Sequence, residues 1–145
     1  MRLADRLTSG IASITAGSRG YQRAVLADSF DAGSGTLLYG LEVTRNKGPW
    51  DSPEDLRKYS GTLKYTGGNK YDGFSITGMA YKNTWNSTDQ IPQRAMSSGL
   101  IGRFGAIDPT DGGETSRYSL SYAMHKRTQD SLFELNAYAV QSRLK

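Results

Sequence analysis

The chain contains no cysteine. A disulfide framework and a thiolate metal site are therefore excluded, although no cellular compartment follows from that. A single histidine cannot, without cysteine, assemble a familiar transition-metal centre. Valine occurs only three times, and tyrosine outnumbers each of isoleucine, valine and phenylalanine. A dry core built from branched aliphatics is thus poorly supplied. No apolar run approaches the ~20 residues of a membrane-spanning helix, and residues 1–7 have no apolar signal core. No stretch keeps a 3.6-residue period, so helices are not expected to organise the fold. Gly-x-Ser-x-Gly elbows, phosphate-binding glycine loops and metalloprotease helices are missing, and no nucleophile–base pair can be picked out. An enzyme is not expected.

What is present is glycine (17), tyrosine (9) and two tryptophans in 145 residues, with a mean hydropathy of −0.57. Such a mixture suits strands with one wet face and ends that meet an interface. It also suits a thin-cored soluble β-sandwich. Net charge is +4, but the basic residues are scattered rather than gathered in a stripe, which argues against nucleic acid as a partner.

Two amphipathic runs flanking a long loop organise the chain. Gly73–Trp85 is rich in β-branched and aromatic residues. In the other run, Thr115–Lys126, residues 118–124 alternate strictly, Tyr118, Leu120, Tyr122 and Met124 opposing Ser119, Ser121 and Ala123. A period of two marks a strand with one apolar and one polar or small side. Residues 86–114 between them lack periodicity, and a loop of that length is usually functional. Five further strands are predicted over 11–17, 21–28, 35–45, 56–66 and 131–143. Turns fall at 17–20, 29–34 and 67–72, where Asp72-Gly73 is a strong turn dipeptide, and at 128–130. Residues 46–55 form a loop with two prolines. From the second connection onward, short and long connections alternate, as in a meander of transmembrane strands with turns at one rim and loops at the other. The fold class expected is all-β, an antiparallel up-and-down meander of about seven strands forming part of a transmembrane β-barrel.

Ile11 to Tyr21, Leu38 to Val43, Gly48-Pro49-Trp50-Asp51-Ser52-Pro53, Ser87 to Pro92, Arg103-Phe104-Gly105-Ala106-Ile107-Asp108-Pro109 with Thr110 to Gly113, and Arg117 to Ser121 follow one another in a characteristic order and spacing. Together they resemble the N-terminal barrel strands of a TonB-dependent outer-membrane receptor. The resemblance covers residue 8 to the end. It implies a barrel of about 22 strands closed by a separate plug domain and located in the bacterial outer membrane. It also implies uptake of a ferric siderophore, another chelate, cobalamin or a carbohydrate. Residues 1–8 would then be the lead-in from the plug. The plug, its TonB contact and the later strands would lie outside this sequence, so TonB is a partner only through the plug.

Ligand contacts are expected from loops 46–55 and 86–114. Trp50, Tyr81 and Trp85 could stack on a chelate or sugar, or else be interface anchors. Arg94 and Arg103 could meet an anionic ferric siderophore, or else pair with Asp89, Asp108 or Asp111. Asp108, Asp111 and Glu114 near two glycines miss the spacing of a calcium loop and read as a turn. His125 reads as structural, and the formal glycosylation acceptor at Asn86-Ser87-Thr88 as inert. No cofactor is expected. The alternative is a soluble β-sandwich glycan-binding module using Trp50 and Trp85.

Overall fold

The computed structural model describes residues 3–87 and 90–145. Seven strands form one antiparallel sheet in sequence order: β1 (Ile11–Ala16), β2 (Gln22–Ala32), β3 (Gly35–Asn46), β4 (Leu56–Gly68), β5 (Asp72–Asn86), β6 (Gly112–Arg127) and β7 (Leu132–Leu144). A short helix, α1 (Gln93–Ser97), lies in the long loop. The meander is as expected from the alternation. It is not closed, because β1 and β7 each pair on one side only. Among the described residues there is one sheet, not the two facing sheets that a sandwich requires.

Two boundaries move, for one physical reason. Residues 29–34 have turn composition, yet β2 runs through to Ala32 and only Gly33 and Ser34 turn the chain. Phe30 pairs across to Leu37 and packs edge-on against Tyr39 at 6.5 Å, while Ser29 and Asp31 point to the polar face. A strand with one wet face can look like a turn in composition. Asp72-Gly73 likewise sits in β5, paired with Lys126 and His125. The turn before it is closed by Asn69, whose side-chain oxygen accepts the N–H groups of Tyr71 and Asp72 at 2.8 and 3.0 Å.

The two faces differ in kind. The inward face is the one crossed by the lead segment, Leu3 to Leu7. Lys64 Nζ donates to the Leu3 and Ala4 carbonyls and to Asp5 Oδ1, at 2.9, 3.4 and 2.6 Å. Arg6 meets Asp31 at 3.1 Å, and the Leu7 N–H donates to Ser29 Oγ at 2.9 Å. This face carries Ser60, Thr62 and Lys64 on β4, and Ser119, Ser121 and Ala123 on β6. The outward face carries the apolar set. Leu41, Leu63 and Leu120 there are 53, 52 and 57 % exposed, and Leu38 is the one hydrophobic side chain buried among the described residues. Neither face therefore has a dry core.

The register exposes an order that no single strand contains. On each of β2 to β7 the outward apolar residues occupy one seven-residue window: 24–30, 37–43, 59–65, 74–80, 118–124 and 133–139. Asp28 is the only charged outward residue in these windows. The windows are not level. The top of the β2 window, Ala24, pairs in a row with Val43 and Tyr59, but that row continues as Lys82, Ser116 and Arg143. By β7 the window has slipped two rows, to Ala139. Four residues over five strand spacings is a slope of roughly 30° at ~3.3 Å per residue and ~4.8 Å per strand. An apolar belt slanting across the hydrogen-bond rows is what strands tilted to a bilayer require.

Candidate functional site

The connections sort by rim. Gly33–Ser34, 69–71 and 128–131 turn the chain at one end. Residues 17–21, 47–55 and 87–111 connect strands at the other. Alternation thus begins at the first connection rather than the second, because β2 and β4 extend further toward the turn rim than composition suggests. All three long connections share one rim, and they are tied together. The Lys47 N–H donates to Arg19 O at 3.2 Å, and the Asp51 N–H to Phe104 O at 2.9 Å. The Asn86 N–H donates to Glu54 O at 2.7 Å, and its side chain to Pro53 O at 2.8 Å. The long loop therefore folds back on loop 47–55.

At that junction Trp50 stands edge-on to Phe104 at 6.2 Å, and the Arg103 guanidinium lies 5.9 Å from the Phe104 ring centre. Trp50 and Arg103 are thus brought together, with Phe104 between them. Phe104 was not singled out from sequence, since an isolated phenylalanine in an aperiodic loop gives no signal. Arg94 is exposed on α1. Neither Arg94 nor Arg103 makes an ion pair among the described residues. Asp89, one of the acids weighed for them, lies outside the described residues, as does Thr88 of the formal glycosylation site. Asp108 directs its carboxylate at Thr110, whose N–H and Oγ1 donate to Oδ1 at 2.8 and 2.6 Å. Those bonds hold Asp108 below the usual carboxylate range. The segment is a turn, and no group of metal-ligating side chains occurs among the described residues.

Tyr81 and Trp85 lie four residues apart on β5, and both face inward, toward the side of Asn83 and Lys58. An outward interface anchor would need the opposite parity. The Trp85 ring covers Gly113 on β6, where a Cβ would come within 2.6 Å of Cζ2. Tyr81 pairs across with Arg117. In the pairing rows of Tyr81 and Asn83, Glu42 accepts from Arg23 Nη2 at 3.1 Å and from Lys58 Nζ at 2.5 Å, with Thr44 Oγ1 donating at 3.1 Å. Sequence reasoning missed this cluster. Each of its members is one polar residue in an alternating strand, and only the register joins them. His125, at the turn rim, approaches Asn69 O at 3.2 Å through Nε2, a structural contact.

The inward face and the loop rim thus form a continuous polar surface bearing aromatic rings and arginines. It offers stacking planes and forked donors. Set beside known proteins, the chain matches no family model, no curated protein and no solved structure.

Proposed function

We propose that this chain supplies wall strands and recognition loops of a TonB-dependent outer-membrane receptor that takes up a ferric siderophore or a similarly large nutrient. The observation that carries the reading is the slanted outward belt. Its windows cover ~20 Å of strand, and ~27 Å where Ala32, Gly35 and Gly67 extend them. At the ~30° slope of the belt the longer windows stand about 23 Å tall, close to the ~25 Å apolar band of an outer-membrane barrel wall. A polar opposite face and sorting of the connections by length support the same reading. Seven is an odd number, so β1 and β7 run in the same direction. Joining them would put a parallel seam into an antiparallel wall. In this reading both edges pair with further strands of the receptor, and the loop rim faces outside. Trp50, Tyr81, Trp85, Arg94 and Arg103 are the proposed ligand contacts, and TonB acts through the plug.

The cysteine-free chain makes the test direct. Single cysteines placed along β4 and β6 in vesicles carry a polarity-sensitive dye. Dyes at 61, 63, 118 and 120 report lipid, and dyes at 60, 62, 119 and 121 report water. Uniform water at every position would remove the membrane reading. Quenching of the two tryptophans by ferric catecholates and hydroxamates, set against the iron-free ligands, tests recognition.

A further inference from the structure

The first outward residues above the apolar belt are not random. On three adjacent strands they are Arg45, Arg57 and Lys82, on β3, β4 and β5. In sequence these cations are scattered, and the register gathers them. Arg45 and Arg57 are direct cross-strand partners. Like charges in that position repel, since opposed Cβ atoms are only ~5 Å apart. Neither arginine has an acidic partner among the described residues, and both are exposed. Lys82 pairs with Glu114 at 3.2 Å, which leaves this group with more cation than anion. On these three strands the turn rim has no counterpart, its outward positions being Gly35, Gly67 and Asp72, the last paired with Lys126 of β6.

Directly beneath the arginines the outward surface sinks into a hollow of about 380 Å³. Its floor is Gly61 and Ala80, its sides include Leu41, Tyr59 and Tyr118, and Lys82 stands at its margin. An unsatisfied forked cation pair above an apolar trough matches one kind of molecule: an amphiphile with an anionic phosphate head and an acyl chain. We propose that Arg45, Arg57 and Lys82 bind the phosphate of an anionic lipid whose chain lies over Gly61 and Ala80. Two guanidinium forks chelate phosphate oxygens well, and the bound anion removes their mutual repulsion. This site rests on the reading of the outward belt as lipid-facing, and it is separate from the nutrient site on the other face.

The test is co-flotation of the full chain with phosphatidylcholine vesicles, with or without phosphatidylglycerol. Flotation with both is expected, with tighter partition on the anionic vesicles. Arg45→Gln with Arg57→Gln should cut that preference roughly 30-fold, at about 1 kcal/mol per basic residue near an anionic surface, and leave binding to neutral vesicles unchanged. Lys126→Gln with Arg127→Gln removes equal charge at the other rim and should leave the preference intact. Gly61→Leu fills the trough and should weaken the preference with all charges present. An unchanged preference in the arginine variant, or an equal loss in the turn-rim variant, overturns the site. An unaltered Gly61→Leu chain overturns the acyl seat, and competition by inorganic phosphate overturns the lipid assignment. Flotation with neither vesicle overturns the membrane reading itself, and this site with it.

Discussion

At the scale of single residues, Lys64 shows how a charge is tolerated on a wall that lacks a core. Its side chain is 6 % exposed, and it is satisfied by two carbonyls and the Asp5 carboxylate. Burial of an ammonium is acceptable only with such partners. Lys64→Met keeps the stem and removes the donors. Asp5, itself 46 % exposed, regains water, so the loss should be modest, about 1–3 kcal/mol. The sharper readout is local: the lead segment detaches, and trypsin cuts after Arg6 faster than in the parent. An unchanged cleavage rate would mean that something else holds the segment. Asp108 makes the opposite kind of statement, in a solvent-exposed turn. Its Thr110 bonds favour the ionised form, so its folded pKa lies below its unfolded value. The contribution to the turn is therefore present above the ordinary aspartate range and fades as pH falls through the lowered value. The Thr110 amide resonance should titrate with a midpoint below that of a free aspartate, and Asp108→Asn should flatten the curve. A midpoint at the ordinary value would contradict the turn geometry.

At the scale of elements, alternation was readable in β3, β4 and β6, because within 37–43, 59–65 and 118–124 every outward residue is apolar or glycine and the residues between them, Leu38 apart, are polar or small. Strand ends were not readable. Asp31 and Asp72 are strand residues whose polarity belongs to the wet face or the rim, and a one-dimensional reading takes both for turn signals. The inward parity of Tyr81 and Trp85 was available in principle, since Tyr81 shares its side with Met79 and Asn83. It became decisive only once Ser60 and Arg117 were known as cross-strand partners. Leu63 and Thr62 turn this parity into a measurement. In a bilayer, Leu63→Arg at mid-belt should cost about 2–4 kcal/mol of insertion free energy. Thr62→Arg, one residue away on the wet face, should cost well under half of that. In water both are surface changes of small effect. Flotation with neutral vesicles reads the difference, and equal behaviour of the two variants would show that neither face meets lipid.

At the scale of the whole molecule, what the sequence could not display is the slant. Each seven-residue window is visible by itself, but the offset between windows exists only in the pairing of one strand with the next. The same holds for the Arg45–Arg57 pair and for the Arg23 and Lys58 contacts of Glu42, which join residues twelve or more positions apart. The sheet also has a property that belongs to no single strand, namely two unpaired edges of the same direction. An exposed edge is a template for another chain, and β7, exposed along its whole length, is the longer of the two. In detergent, copies of this chain should join through those edges. Oxidation of single-cysteine chains tests this. Ser13→Cys on β1 and Ala137→Cys on β7 should give disulfide dimers, whereas Thr62→Cys, on a strand paired on both sides, should not. Dimers from position 62 at a comparable rate would point to face-to-face stacking instead. Strictly monomeric chains would mean that the edges are covered, and a covered edge has no place in a wall that continues into neighbouring strands.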